Sequence, residues 1–251
     1  MLAIDLNADL GEGMQDDEAL MPFLSSVNIA CGGHAGDNSS MTQTVLAAKK
    51  NNLALGAHPS FPDRKNFGRI DMIEDGLGID ELSAALKNQI IQLQKICSIQ
   101  GTDLHHVKPH GALYNRACRD YLLASLICHV IIEINTHLFI YGMGGTEMEK
   151  AAADSGLRFV SEAFADRVYL ANGLLKPRSG THALIEDPAL AVEQVLQLVE
   201  NGTIKTDTGE VFNTKAESIC IHSDSMNALA MARQIHAALV SKNIMIMAKQ
   251  S

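Results

Sequence analysis

The chain has 251 residues, 47% of them hydrophobic and 20% charged, a balance that suits a globular enzyme with a sizeable buried core. Its formal net charge of -9, with no basic run, argues against nucleic acid or an anionic membrane as the main partner, since both need clustered Lys and Arg. The opening MLAIDLNADLGEG has neither a positive n-region nor a long apolar h-region, and no segment approaches the roughly 18 to 20 apolar residues of a membrane span. Five cysteines without a CxxC pair (Cys31, Cys97, Cys118, Cys128, Cys220) read as reduced thiols of a cytoplasmic protein.

The predicted elements alternate along the chain. Strand-like runs LAIDLN and SVNIAC come first, followed by a helical pattern over 41–52 and a third strand, LALGAH. A loop rich in Gly, Pro and charge, 59–78, reads as a lid or lip. An amphipathic helix over 79–100 leads into the strand LHHVKPH, and LFIYG follows. The helix 145–156, the strand LRFVSEAF and the helix 187–202 come next. A peripheral hairpin is expected over 203–216, around Thr208-Gly209, before the last strand, SICIHS, and a helix over 225–243. This βα alternation places the chain in the α/β class. With seven strands it predicts one TIM-like (β/α) barrel domain over 1–251; an open doubly wound sheet fits the same pattern.

Parallel α/β folds build their sites at the C-terminal ends of strands, and ionisable residues recur there. Asp5, Asn7, Asp9 and Glu12 follow the first run; His34 and Asp37 the second; His58 the third; Lys108 and His110 the fourth. Glu162, Asp166 and Arg167 close the sixth, and His222 and Asp224 the last. Singly, each has a plain alternative: Asp5 and Asn7 as a buried hydrogen-bonded pair, Asp9, Glu12 and Asp37 as helix caps. Together they suggest one rim of carboxylates, histidines and cations. A divalent metal held among Asp9, His34, His58, His110, His222 and Asp224 is one use of that rim. Metal-free acid–base chemistry, with Lys108 and Arg167 holding an oxyanion, is the other. GMGGTE lacks the P-loop spacing, and no nucleotide fold is visible.

The ordered motifs DLNADLGEG, NIACGGHAGD, GAHPSFPDRKNFGR, HVKPHGALYN, EAFADRVY and ICIHSD make the chain resemble the lactam-utilisation family, the A subunits of bacterial 5-oxoprolinase, from about residue 4 to 242. The resemblance implies a seven-stranded barrel related to the glycoside hydrolase and deacetylase barrels. It also implies ATP-dependent hydrolytic opening of 5-oxo-L-proline to L-glutamate, with ATP used at the level of a complex with subunits B and C. Carried onto this sequence, it makes Asp9, His34, Lys108, His110 and Tyr114 the catalytic candidates. Asp5, Asn7, Glu12, Asp37, His58, Arg69, Glu162, Asp166, Arg167, Arg178, His222 and Asp224 become the candidates for holding substrate. Gly33 stands where the family usually has Phe, which is expected to open space in the pocket wall; Ser223 replaces a usual Gly. A metal-dependent amide hydrolase or deacetylase acting alone, and a non-catalytic scaffold for the partner subunits, are the competing readings; a homo-oligomer is also open.

Overall fold

A computed structural model describes residues 2–250. Strands β1 (Ala3–Leu10), β2 (Ser26–Ala30), β3 (Ala54–His58), β4 (Leu104–Val107), β5 (Phe139–Met143) and β6 (Arg158–Phe164) pair side by side in chain order, all parallel. The short antiparallel hairpin of β7 (Thr203–Lys205) and β8 (Val211–Asn213) stands apart from them. Strand β9 (Ser218–His222) then pairs with β6 on one side and with β1 on the other, Asp5–Asp9 running alongside Ser218–His222. That last pairing closes a seven-stranded parallel barrel and removes the open-sheet alternative. A two-residue β10 (Met245–Ile246) pairs with Ala3 and Ile4, below the reach of β9.

Helices α1 (Asp17–Leu20), α2 (Asn38–Lys50), α3 (Ile79–Ile99), α4 (Gly111–Ala117), α5 (Tyr121–Ile134), α6 (Glu147–Ser155), α7 (Pro188–Asn201) and α8 (Ala228–Ser241) occupy the connections. Every other strand residue faces them. Leu6, Ile29, Leu55, Val107, Ile140 and Ile219 share one buried cluster with Val45, Leu86, Ile90, Ile127, Val195 and Ile235. Each such side chain contributes roughly 1.5–3 kcal/mol by leaving water. Helix α5, unassigned in the sequence reading, is apolar around most of its circumference. Its run YLLASLICHVIIEI even leaves Leu122 80% exposed, so it lacks the polar face that marks an amphipathic helix.

The alternate strand residues fill the barrel with polar groups stacked in rungs. At the bottom, Asp5 accepts hydrogen bonds from Ser25 (2.6 Å), Ser26 (2.8 Å) and Ser218 (2.6 Å). Above it, Asn7 Nδ2 donates to Glu162 Oε1 (2.9 Å) and Ser218 Oγ (2.7 Å), while Asn28 Nδ2 donates to Asn7 Oδ1 (2.8 Å) and Asp9 Oδ1 (2.7 Å). His106 Nε2 meets Asn28 Oδ1 at 2.7 Å, and its ring stacks on Tyr141. A side chain at Gly56 would run into that imidazole, so the third strand has none there. Partnered in this way, the groups escape the penalty of burying a bare polar atom, and they fix the height of the residues above them.

Candidate active site

A cavity of about 670 Å³ opens at the C-terminal end of the barrel. Asp9, His58, Lys108, Phe164 and His222 reach it from the strand ends. The 59–78 segment supplies one wall through Phe67, Arg69 and Asp71, α4 another through Tyr114, and the irregular stretch before α7 a third through Arg167, Lys176 and Arg178.

Lys108 is the centre of the floor. Its backbone N–H donates to Ala57 O (2.9 Å) and that of His110 to Pro59 O (2.8 Å), which extends the strand line past Val107. Gly111 then turns into α4 at φ +56, where a Cβ would lie 2.5 Å from Gly68 O. The chain thus aims Lys108 inward. Its Nζ lies 2.9 Å from Glu162 Oε1 and 3.0 Å from both Asp9 Oδ1 and Cys220 Sγ, with only 2% of the residue exposed. Burial works against the ammonium, but Asp9, Cys220 and Glu162 outweigh it and hold Lys108 well above its ordinary range. For Asp9, burial pushes up, and the charges of His58 and Lys108 nevertheless bring the carboxyl well below the usual value. Burial prevails at Glu162, which is raised although Lys108 pulls it down. Tyr114 donates to Glu162 Oε2 at 3.1 Å; burial and that carboxylate push the phenol well up, so it keeps its proton.

Beside this ion group lie three imidazoles and a carboxylate. His34 Nε2 is 2.8 Å from Glu12 Oε1, and its ring stacks on His110 at 3.6 Å. His58 Nε2 is 3.0 Å from His110 Nδ1 and 3.3 Å from Asp9 Oδ2. Burial lowers His34 and His110 and favours their neutral rings; at His58 burial also lowers, but Asp9 raises it further. Backbone carbonyls hold the outer nitrogens: Lys108 O for His58 Nδ1 (2.7 Å) and Phe67 O for His110 Nε2 (3.0 Å). Phe67 adopts φ 57, an uncommon conformation for a bulky residue, and that places its carbonyl over His110. One donor atom each from Glu12, His34, His58 and His110 lies within 4.8 Å of the others, an arrangement able to hold a metal ion.

The rim is cationic. Arg69 and Arg178 both reach Asp224 Oδ2, at 2.9 and 2.7 Å. Arg167 donates to Lys176 O (2.6 Å), and its buried Nε has no partner among the described residues. Asp166, fully buried, accepts from His222 Nδ1 (2.8 Å) and Ser225 Oγ (2.7 Å); burial raises its carboxyl, and His222, Ser225 and Arg178 together bring it below its ordinary value.

The model of the LamB/YcsF family matches residues 4–251. The chain belongs to the LamB/YcsF family. It is 44% identical over 246 residues to a protein of Histophilus somni (strain 129Pt) named as the A subunit of 5-oxoprolinase, with 98% of each chain covered. It is also similar to the lactam utilization protein of Thermus thermophilus, whose crystal structure superposes with a TM-score of 0.91 at 37% identity, covering 99% of this chain and 100% of that one. A T48 deacetylase solved with substrate shares the fold at a TM-score of 0.53 and 11% identity, over 98% of this chain and 87% of that one.

Not every candidate drawn from the LamB/YcsF motifs lies at the cavity. Asp37 is exposed and caps α2, accepting from Ser40 N at 2.9 Å. Asp5 and Asn7 sit in the rungs beneath the floor, engaged by serines and by Asn28. None of the three can touch a molecule in the cavity, because a cap and a buried rung have no face toward it. His34, Glu162 and Asp166 stand just behind the lining, in contact with Glu12, Lys108 and His222. The expectation that Gly33 opens the pocket wall is also corrected. A Cβ there would collide with Gln89 and Ser60, because Gln89 from α3 fills the space, donating to Ser60 O (2.9 Å) and accepting from Ser60 N (3.0 Å). Glu12, absent from the predicted metal set, joins the histidines; Asp9 and His222 fall in a second group with Cys220, whereas Asp224 is engaged by Arg69 and Arg178. Asn28 and Cys220 were not among the candidates; a polar residue inside the apolar run SVNIAC was the available signal for Asn28.

Proposed function

We propose that the chain is the lactam-opening A subunit of a multi-subunit 5-oxoprolinase, hydrolysing the amide C–N bond of 5-oxo-L-proline to give L-glutamate. Subunits B and C carry out the ATP-driven activation of the lactam, so that ATP serves the complex and not this cavity. The observation that carries the reading is the Lys108 ammonium, held permanently charged between Asp9 and Glu162 at the floor of a cavity with an arginine-lined mouth. The relatives named as A subunits of 5-oxoprolinase support it over the whole length of the chain.

Arg178 and Arg69, oriented by Asp224, bind the substrate carboxylate. Lys108, which cannot serve as a neutral amine nucleophile while its proton is held so firmly, stabilises the charge that develops on the lactam oxygen. Water adds to the carbonyl carbon, the C–N bond breaks, and the ring nitrogen takes up a proton to become the amine of glutamate. Asp9 is too strongly ionised to be an effective base and instead orients the water, one proton of which ends on the departing nitrogen. Tyr114 keeps its proton on Glu162 and so fixes that carboxylate against Lys108. Glutamate release from 5-oxo-L-proline, assayed with and without subunits B and C and ATP, tests the proposal. Release is expected only when all are present. Turnover by the chain alone would overturn it in favour of a stand-alone amide hydrolase, and no release in any mixture would leave a scaffold.

A further inference from the structure

We propose that Glu12, His34, His58 and His110 bind one divalent transition-metal ion, zinc(II) or a chemical equivalent, at the floor of the cavity. The inference goes beyond the lactam reading and stands independently of it. Glu12 Oε1 lies 2.8 Å from His34 Nε2, 3.5 Å from His110 Nδ1 and 4.0 Å from His58 Nε2, and the last two nitrogens are 3.0 Å apart. Ligand atoms about 2.1 Å from a tetrahedral ion stand about 3.4 Å from one another. The four separations straddle that value, so little movement is needed to seat an ion. Three imidazoles and a carboxylate are donors that suit zinc and its neighbours better than magnesium or calcium.

Proton positions point the same way. A carbonyl oxygen only accepts, so His58 Nδ1 and His110 Nε2, bonded to Lys108 O and Phe67 O, are the nitrogens that carry hydrogen. In neutral rings this leaves His58 Nε2 and His110 Nδ1 as two lone pairs facing each other at 3.0 Å. That contact is repulsive unless a positive charge lies between them, either a metal ion or a proton on His58. Imidazoles backed by backbone carbonyls are the arrangement that orients metal-binding histidines. Glu12 and His34 converge on the same point, which a shared proton between His58 and His110 alone would not require. The neighbouring group of Asp9, Cys220 and His222 already has its cation, since Lys108 Nζ lies 3.0 Å from both Asp9 Oδ1 and Cys220 Sγ. Among the described residues no Lys or Arg pairs with Glu12. An ion there reaches the cavity through Glu12, His58 and His110 and would polarise a carbonyl or a water that enters.

The test is calorimetric titration of the chelator-treated protein with zinc(II) and cobalt(II), together with the cobalt absorption spectrum and nitrogen-15 spectra of the histidine rings. One equivalent per chain is expected, with Glu12→Gln and His34→Ala each weakening binding at least about 100-fold, beyond the 10- to 100-fold typical of residues standing behind ligands. His129→Ala, on the exposed face of α5, should bind as the parent does. Should either site variant fail to fold, the parent still decides: zinc must shift the ring nitrogens of His34, His58 and His110 and not those of His129. Absence of stoichiometric binding, binding indifferent to Glu12 and His34, or unshifted rings would overturn the proposal and leave the proton on His58. None of these readouts uses turnover, so failure here is distinct from failure of the glutamate assay.

Discussion

Lys108 Nζ stands 2.9 Å from Glu162 Oε1, and the two residues are 2% and 3% exposed. With Asp9 they form a buried group of one cation and two carboxylates. Removing the cation leaves the carboxylates facing each other without water. Lys108→Met should therefore cost about 3–5 kcal/mol of stability, the range for breaking a buried ion pair from one side. Urea denaturation measures it; a loss below about 1 kcal/mol would show that the pair is not what holds the floor together.

The shared carboxylate Asp224 orients two arginines at the mouth. If they hold the substrate's carboxylate equally in the ground and transition states, Arg178→Ala should raise KM about 10- to 100-fold, the worth of a charged hydrogen bond, and leave kcat within about 3-fold. Steady-state kinetics of the reconstituted complex provide the check. A fall in kcat at unchanged KM would place Arg178 on the reacting atoms instead.

Asp17 makes stability depend on pH. Its Oδ2 accepts from Gly11 N at 2.8 Å, while Oδ1 is buried without a partner among the described residues. Burial, with Glu12 and Asp16 adding to it, lifts the carboxyl from 3.8 to about 6. Between those values the native state binds a proton that the unfolded chain has released, so this contribution to stability falls as pH rises from about 4 to 6. Because Asp17 is partly solvated, the penalty above pH 6 is about 1 kcal/mol, well under the full value of the shift. Asp17→Asn should raise the Tm by about 2–4 °C at pH 7 and change it little at pH 4. Equal shifts at both pH values would show that the carboxyl's charge is not the cause.

Gly33 is a packing position. Gly33→Phe should destabilise by about 1–3 kcal/mol, the usual cost of overpacking, and adding Gln89→Ala should restore much of the loss. Thermal denaturation of the single and double variants decides this. Independent, additive effects would mean that Gln89 does not occupy the space.

The alternation of strand and helix, and with it the α/β class, was legible because each strand is short, apolar and bounded by turn residues. Closure was not, since it rests on β9 pairing with β1 more than 200 residues away, which no local pattern encodes. Helix α5 was obscured by its own apolarity. Within the site, histidines and cations at strand ends were visible as a set, but a carboxylate looks the same in sequence whether it caps a helix (Asp37), fills a rung (Asp5) or joins three imidazoles (Glu12). Burial and partners separate these roles, and both are set by residues distant in the chain. Gly33 misled for the same reason: its space is taken by Gln89, 56 positions further on.

Asp9→Asn, assayed in the complex with subunits B and C and ATP, tests the central claim most directly. The amide keeps the shape of Asp9 and can still accept from Asn28, but it loses the charge that faces Lys108 and His58. Glutamate release should fall at least about 100-fold, the cost of a misplaced reacting water, while the circular dichroism spectrum stays that of the folded parent and the Tm drops with the lost pairing to Lys108 but stays above the assay temperature. Near-normal release from a folded Asp9→Asn protein would contradict the assignment of this barrel mouth as the place where the lactam is opened.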